Sequence, residues 1–493
     1  MKKLALLLAF SSIAFTASTA QESGFRGMEI ITTQQGLVLP QRTTESSQIR
    51  NIQALDTSSG IVYTADAIFL TRDGGTSWDE VPLELARYES LTSVKFTDRT
   101  SGYAIVSTSK GNRLDLMRTA DGGRTWERSR LEIGDVQNYE ADTASAELEI
   151  DTAGQLSVVF ITTTSSNFSG IVRFISVDNG ISWQFAERRV ESRTSDAPSE
   201  KQSGTWTIKT EGTCAGFKSG CVQETRIISG GRDITPAKID ELARTEKEKA
   251  RAEATPMFEL PPGGSTRTSL NRGFDKCQAG TIAQMQLWWD NSPHYDSNIY
   301  MSGRNRACPS QPFSNNPSWI DQVSAQGWGL IPTIVGYQSP CTASTTTAKL
   351  SYDAAVAEQQ GRGEADIAVT DANSIGLTTG SILYYDMERY DPPNPDMLGC
   401  RTATVAFLKG WTDRIKELGY KSGTYGSPKN AQEDWVNLPP ASRMDAIWMA
   451  RWDNVPSVWT YVTFPSFPTN VWNNHQRIKQ WQAPHNETWA GVT

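Results

Sequence analysis

The stretch "SILYYDME" (381–388) ends an apolar run on two acids whose spacing invites chemistry. In an extended strand side chains alternate between faces, so Tyr384, Asp386 and Glu388 point one way, and Tyr385 and Met387 the other. Like charges crowded in a partly apolar cleft drive at least one carboxyl pKa upward. A protonated acid then stands beside an ionised carboxylate near neutral pH, the division of labour that glycoside cleavage needs. "RGFD" (272–275) places a third acid, Asp275, at the end of another strand. If both strands belong to one barrel, the three carboxylates meet at its open, C-terminal mouth. An acid following a strand serves equally well as a helix cap, so Asp275 alone is ambiguous; the pair Asp386 and Glu388 is a more specific signal.

Aromatic side chains surround these acids in the sequence. Trp448, Ala450 and Trp452 share a face of "DAIWMARW", Tyr425 ends its strand, Tyr390 follows the acid pair, and Trp481-Gln482 closes the last strand. Flat rings stack on sugar faces and an amide hydrogen-bonds hydroxyls, so Tyr384, Tyr390, Tyr425, Trp448, Trp452 and Gln482 are candidate saccharide contacts, although each ring would serve as core packing too. The three histidines form no metal-binding spacing, "GRGEAD" lacks the ending of a phosphate loop, and no Gly-x-Ser-x-Gly elbow occurs. No metal or cofactor is expected.

The elements that must position these residues come in two grammars. Over 271–493 strand-like stretches (272–275, 297–303, 329–337, 381–388, 421–426, 445–451, 477–482) alternate, in the earlier part, with helical ones (279–290, 318–327, 352–376, 403–419). This predicts a parallel α/β sheet of TIM-barrel type, with its last strands joined by loops. Over 21–235, short alternating Thr-, Ser-, Val- and Ile-rich runs predict antiparallel strands. Within them "TRDGGTSW" (71–78), "TADGGRTW" (119–126) and "SVDNGISW" (176–183) repeat at the spacing of propeller blades. In each copy the Asp can bond its own turn, Gly supplies a positive φ and Trp packs the turn down. A fourth, degenerate unit is expected from about 205 to 235. Residues 236–270 read as a linker, first an exposed charged helix and then the flexible "LPPGGSTRTS".

The first twenty residues, with Lys2, Lys3, an apolar run from Leu4 to Phe10 and "STA", predict a signal peptide cleaved after Ala20. Without its two lysines the net charge moves from −8 to −10 and no basic track is present, which argues against nucleic acid. No later segment is apolar enough to span a bilayer, so the chain is expected to be exported, periplasmic or secreted. Six cysteines then predict three disulfides. Cys214 and Cys221 bracket a short loop. Cys277, Cys308, Cys341 and Cys400 allow three connectivities, of which Cys277–Cys308 with Cys341–Cys400 is favoured.

The three turns resemble Asp-boxes, or BNR repeats, of sialidases and many non-enzymatic propellers, where the box is a structural turn away from the active centre. The resemblance implies a scaffold or a platform for a glycan or protein ligand. "GFDKC", "NIYMSGRNRAC", "QVSAQGWGLIPTIVGYQSPC", "ILYYDMERY", "FLKGWTDRIKELGYKSGTYGS" and "DAIWMARWD" resemble the bacterial glycoside-hydrolase-like domain long classed as a domain of unknown function. That domain is similar in turn to the glycoside hydrolase family 25 lysozymes, whose barrel has eight strands with few helices after the fifth. The resemblance implies Glu388 as proton donor, Asp386 as the carboxylate stabilising charge at the sugar and Asp275 as an orienting acid. Family 25 lysozymes carry a further late acid, which Asp453 approximates, and a terminal-strand Asp that this sequence lacks. Two readings follow: an exported hydrolase of peptidoglycan or a related polysaccharide, with the β-domain as binding module, or a non-catalytic cell-envelope glycan-binding protein.

Overall fold

A computed structural model describes residues 31–33, 36–38, 48–86, 89–108, 113–131, 146–151, 153–161, 168–192, 201–214, 221–253, 269, 271–314, 316, 318–390, 398–452, 457–458, 470–482 and 487–493. The signal segment, Asp453 and the loop inside the Cys214–Cys221 bridge lie outside the described residues.

Four consecutive four-stranded antiparallel meanders fill the N-terminal part. Their strands run from Asn51–Ala54 to Asp79–Val81, from Glu89–Phe96 to Glu127–Arg130, from Glu147–Ile150 to Gln184–Ser192, and from Gln202–Ser203 to Arg232–Asp233. In the first three sheets the repeated turn joins the third strand to the fourth, and it is built the same way each time. Thr71 Oγ1 donates to Asp73 at 2.8 Å and accepts from the Gly75 N–H at 3.0 Å, while Asp73 accepts from the Ser77 hydroxyl at 2.6 Å. Thr119, Asp121, Gly123 and Thr125 repeat this set, as do Ser176, Asp178, Gly180 and Ser182. These bonds to the ionised carboxylate hold Asp73, Asp121 and Asp178 at about 2.

Side chains link the sheets edge to edge. Trp78 and Trp206 meet edge-on at 5.6 Å between the first and fourth. The Gln53 amide both donates to and accepts from the Phe96 backbone between the first and second, and the Leu148 N–H donates to Ser93 Oγ between the second and third.

The charged stretch after the fourth sheet forms helix α1, Ala237–Glu253. It is less exposed than its composition suggests, because Ile239 is buried with Trp206 and Ile227. Lys238 and Lys247 reach Glu80 and Glu224 on the sheets beneath.

The C-terminal part is one parallel sheet of seven strands in chain order: β1 Arg272–Phe274, β2 His294–Ser302, β3 Gly329–Ile334, β4 Ile382–Asp386, β5 Lys421–Gly426, β6 Ala446–Ala450 and β7 Arg477–Gln480. Helices α2 (Ile282–Asn291), α3 (Trp319–Gln326), α4 (Ala354–Ser374) and α5 (Leu398–Glu417) follow the first four strands. Thr281 opens α2 with a capping box and Asp353 caps α4, so polar residues at the helix starts satisfy the first free N–H groups. After β5 only short helical turns occur among the described residues. Among the described residues the sheet has seven strands, where the lysozyme resemblance implies eight. No strand pairing joins β1 to β7 among the described residues. Side chains bring these edges together instead, with Gln480 donating to Asp275 and the Arg272 guanidinium 5.8 Å from the Trp481 ring centre.

Alternation along the strands separates two apolar layers. Leu383, Tyr385 and Met387 face the helices, where Tyr385 packs on Phe407 and Trp411 at 5.0 Å. Tyr384, Tyr425, Ala446, Trp448 and Ala450 fill the inner face. Cys277–Cys308 ties the loops after β1 and β2, Cys341–Cys400 ties the loop after β3 to the first turn of α5, and Cys214–Cys221 closes a hairpin of the fourth antiparallel sheet.

The two parts touch at both ends of β2. At its start, Trp489 lies on Gly212 of the fourth sheet, whose N–H donates to Thr488 O at 2.6 Å. At its end, Phe168 of the third sheet is buried with Tyr300 and Val335, and Val190 packs against them.

Candidate active site

Each acid reaches the mouth of the sheet for a local reason. Asp275 follows β1 directly, and Asp386 is the last residue of β4, two positions beyond inward-facing Tyr384. Glu388 follows two residues later, on the run that leaves the strand. A buried glutamine fixes that run: Gln338, in the loop after β3, donates from Nε2 to Asp386 O and accepts at Oε1 from the Glu388 N–H, both at 2.8 Å. A two-sided clamp on the backbone orients both carboxylates without consuming either.

Asp275 is held by three donors. Asn298 Nδ2 lies 2.8 Å from Oδ1, while Gln480 Nε2 at 2.9 Å and the Tyr300 hydroxyl at 3.3 Å share Oδ2. Donors on both oxygens favour the ionised form. The amide of Gln480 is oriented from behind, since its Oε1 accepts from the Tyr425 hydroxyl at 2.9 Å and from Trp452 Nε1 at 2.7 Å. With its oxygen so occupied, Gln480 must present its NH2 to Asp275.

Tyr425 reports the field at this mouth. Burial first, and then the charges of Glu388, Asp386, Tyr300 and Asp275, push its phenol far above the ordinary range. All three acids are therefore within electrostatic reach of one hydroxyl, which stays protonated and donating. Yet among the described residues no three His, Cys, Asp or Glu side chains are grouped closely enough to hold a metal ion. The carboxylates face a shared space without clustering on a point.

The aromatic contacts expected from sequence lie elsewhere than on an open floor. Tyr384 and Trp448 pack edge to face at 6.4 Å inside the sheet. Tyr390 is fully buried on the helix side, donating to Asp434 and accepting from Trp435 Nε1. These three are core, because inward or helix-facing rings at strand ends meet other rings before they meet solvent. Tyr425 and Trp452 do sit at the mouth, but they are buried and spend their polar atoms on Gln480. The amide beside Asp275 belongs to Gln480, not to half-buried Gln482, because β7 ends two residues earlier than its pattern suggests.

Four residues around the acids were not singled out by motif. Asn298 and Tyr300 share the inner face of β2 by the same alternation that placed Asp386 and were legible in "NIY". Gln480 was legible only as sharing a face with Gln482 within the expected strand 477–482. Gln338 carries no signal, for its role depends on how a loop lies against a strand 48 residues away.

No curated protein matches this chain. Among solved structures, "YCF48 bound to D1 peptide" is 21% identical over 30% of this chain with a TM-score of 0.20, and the chain spans 42% of that protein. An uncharacterized B. stearothermophilus protein is 16% identical over 36% of this chain and 73% of its own, with a TM-score of 0.25. A protein of unknown function from Dyadobacter fermentans is 12% identical over 35% of this chain and 44% of its own, at 0.19. Scores this low establish neither a shared fold nor a shared function. The sequence of the parallel-sheet part is more specific: residues 286–493 match the family model of the Rv2525c-like, glycoside hydrolase-like domain.

Proposed function

We propose that the protein is an exported glycoside hydrolase acting on peptidoglycan or a related polysaccharide, with Glu388 as proton donor, Asp386 stabilising positive charge at the sugar and Asp275 as the orienting carboxylate. The observation that carries this reading is geometric: Asp386 and Glu388 leave the end of β4 on a run clamped by Gln338, and Asp275, just past β1, is held by Asn298 and Gln480. Asp275, with donors on both oxygens, suits a fixed anion. Glu388 and Asp386 share the opposite wall, where their separation of roles would follow from crowding of like charge. The glycoside hydrolase-like family match over 286–493 supports the assignment, and the resemblance of the D-x-E strand to family 25 lysozymes supplies the individual roles. Three disulfides and the lack, among the described residues, of any helix long and apolar enough to cross a membrane are compatible with export. The four meanders, three of them with Asp-box-like turns, are read as a propeller-type module that binds or positions the glycan.

Release of soluble muropeptides from purified cell walls tests the reading. Glu388→Gln should lower the rate by about 10²–10⁴-fold, the usual worth of a general acid. Equal release by wild type and Glu388→Gln on several wall preparations would sink it.

One observation favours the second reading, a protein that holds a glycan without cutting it. Asp386 is 0% and Glu388 4% exposed. That reading expects sugar to be retained on the protein without product, and retention to survive Glu388→Gln but not Trp452→Ala.

A further inference from the structure

A buried cluster beside the mouth draws its residues from both parts of the chain. Tyr300 and Val335 stand at the C-terminal ends of β2 and β3. Tyr300 faces inward, its hydroxyl on Asp275, whereas neighbouring Ile299, Met301 and Ile334 pack on the helix side. Phe168, the first residue of the third strand of the third antiparallel sheet, joins Tyr300 and Val335 in one cluster whose members are 1%, 0% and 0% exposed. Val190, beside Gly170 on the paired strand, packs against the same cluster. The contact lies at the opposite end of this hairpin from the turn at 176–183. The fourth sheet is attached separately, through Gly212 and Trp489, so the third sheet is not the only tie between the two parts.

We propose that the third antiparallel sheet is a cap on the catalytic face, with Phe168 as its plug at Tyr300 and Val335, and that a glycan reaches Asp386 and Glu388 only when this cap lifts. The glycan clause rests on the hydrolase reading; the cap does not. A polysaccharide needs an open groove several sugar rings long. Among the described residues an apolar contact stands one hydrogen bond away from Asp275, and the acid pair, 0% and 4% exposed, lies under no open groove. The arrangement is a built-in off state, since a bulky ring is withdrawn from water by the same contact that closes the site.

Carboxyl footprinting of the full chain separates the cap from catalysis. The intact protein is labelled with a water-soluble carbodiimide and glycine ethyl ester, and the peptide carrying Asp386 and Glu388 is read by mass spectrometry. Wild type should label there far more slowly than at exposed Asp79, and Phe168→Asp or Val190→Asp should raise the labelling about tenfold by shifting the population toward the open form. Either variant suffices if the other fails to fold. Labelling of wild type at the rate of Asp79, or unchanged labelling in a folded variant, overturns the cap. Raised labelling with muropeptide release increased in parallel supports the cap and the hydrolase together. Raised labelling with no release from any form keeps the cap and removes the hydrolase.

Discussion

Gln480 Nε2, on the last strand of the parallel sheet, donates to Asp275 Oδ2, just past the first strand, at 2.9 Å. Residues 205 positions apart in the chain thus link the two edge strands, between which no backbone ladder is present among the described residues, and they do so at the candidate site. Asp275 is anchored as an anion by a neutral amide that Tyr425 and Trp452 hold in a single orientation. Structural closure and the electrostatics of the mouth therefore depend on the same side chain.

Replacing Gln480 by Leu removes the acceptor of the Tyr425 hydroxyl and of Trp452 Nε1, and one of the donors to half-buried Asp275. The expected cost is about 1–3 kcal/mol per group left without a partner, partly relieved by the donors Asp275 retains. Denaturant unfolding followed by tryptophan fluorescence reads it, and an unchanged midpoint would show that the network adds nothing to stability.

Gln338→Met keeps the volume but removes both contacts to the run carrying Asp386 and Glu388. If these carboxylates work on a sugar, a shift of about 1 Å lowers turnover by about 10²-fold. KM should change little, because Gln338 touches backbone and not ligand. A raised KM with normal turnover would place Gln338 in binding instead.

Helices α4 and α5 cross at two glycines. A Cβ on Gly361 would stand 2.0 Å from Phe407 O, and one on Gly410 2.1 Å from Glu358 O. Gly410→Ala should therefore destabilise the C-terminal part by about 1–3 kcal/mol despite alanine's better helix propensity, because backbone must move to admit the methyl. Calorimetry that finds the variant as stable as wild type would show that the helices part freely.

The repeated turns make the N-terminal part acid-sensitive. Asp73, Asp121 and Asp178 lie at about 2 against an ordinary 3.8, because turn hydroxyls and N–H groups bond the ionised form. A depressed folded-state value stabilises above the unfolded one, so their contribution is complete near neutrality. It declines as pH falls below about 4 and is gone below about 2. The triple Asp→Asn variant should show a flatter dependence of unfolding temperature on pH between 4 and 2, and an equal slope would assign the acid sensitivity to other groups.

Period-two alternation in "SILYYDME" put Asp386 on the face of Tyr384, and the strand does turn that face inward, because Leu383, Tyr385 and Met387 are claimed by the helices. Strand and helix order in the parallel sheet was legible for the same reason: apolar periodicity is local and needs no partner to be seen. The aromatic residues were less legible. Trp448 and Tyr390 look alike in sequence to a ring lining a groove, and only their neighbours assign them to the core. The expectation of an exposed linker helix failed at one residue, Ile239, whose burial required the sheets beneath it.

By itself, then, the sequence determined which residues alternate, which turns repeat and which strands end on acids, since these properties are set within a few residues by backbone geometry and side-chain type. Tertiary structure alone decided that Gln480 answers Asp275, that Gln338 clamps the run carrying the acid pair and that Phe168 packs on Tyr300 and Val335. Such contacts join segments tens to hundreds of residues apart, and their partners are chosen by packing in three dimensions, which leaves no periodic trace along the chain.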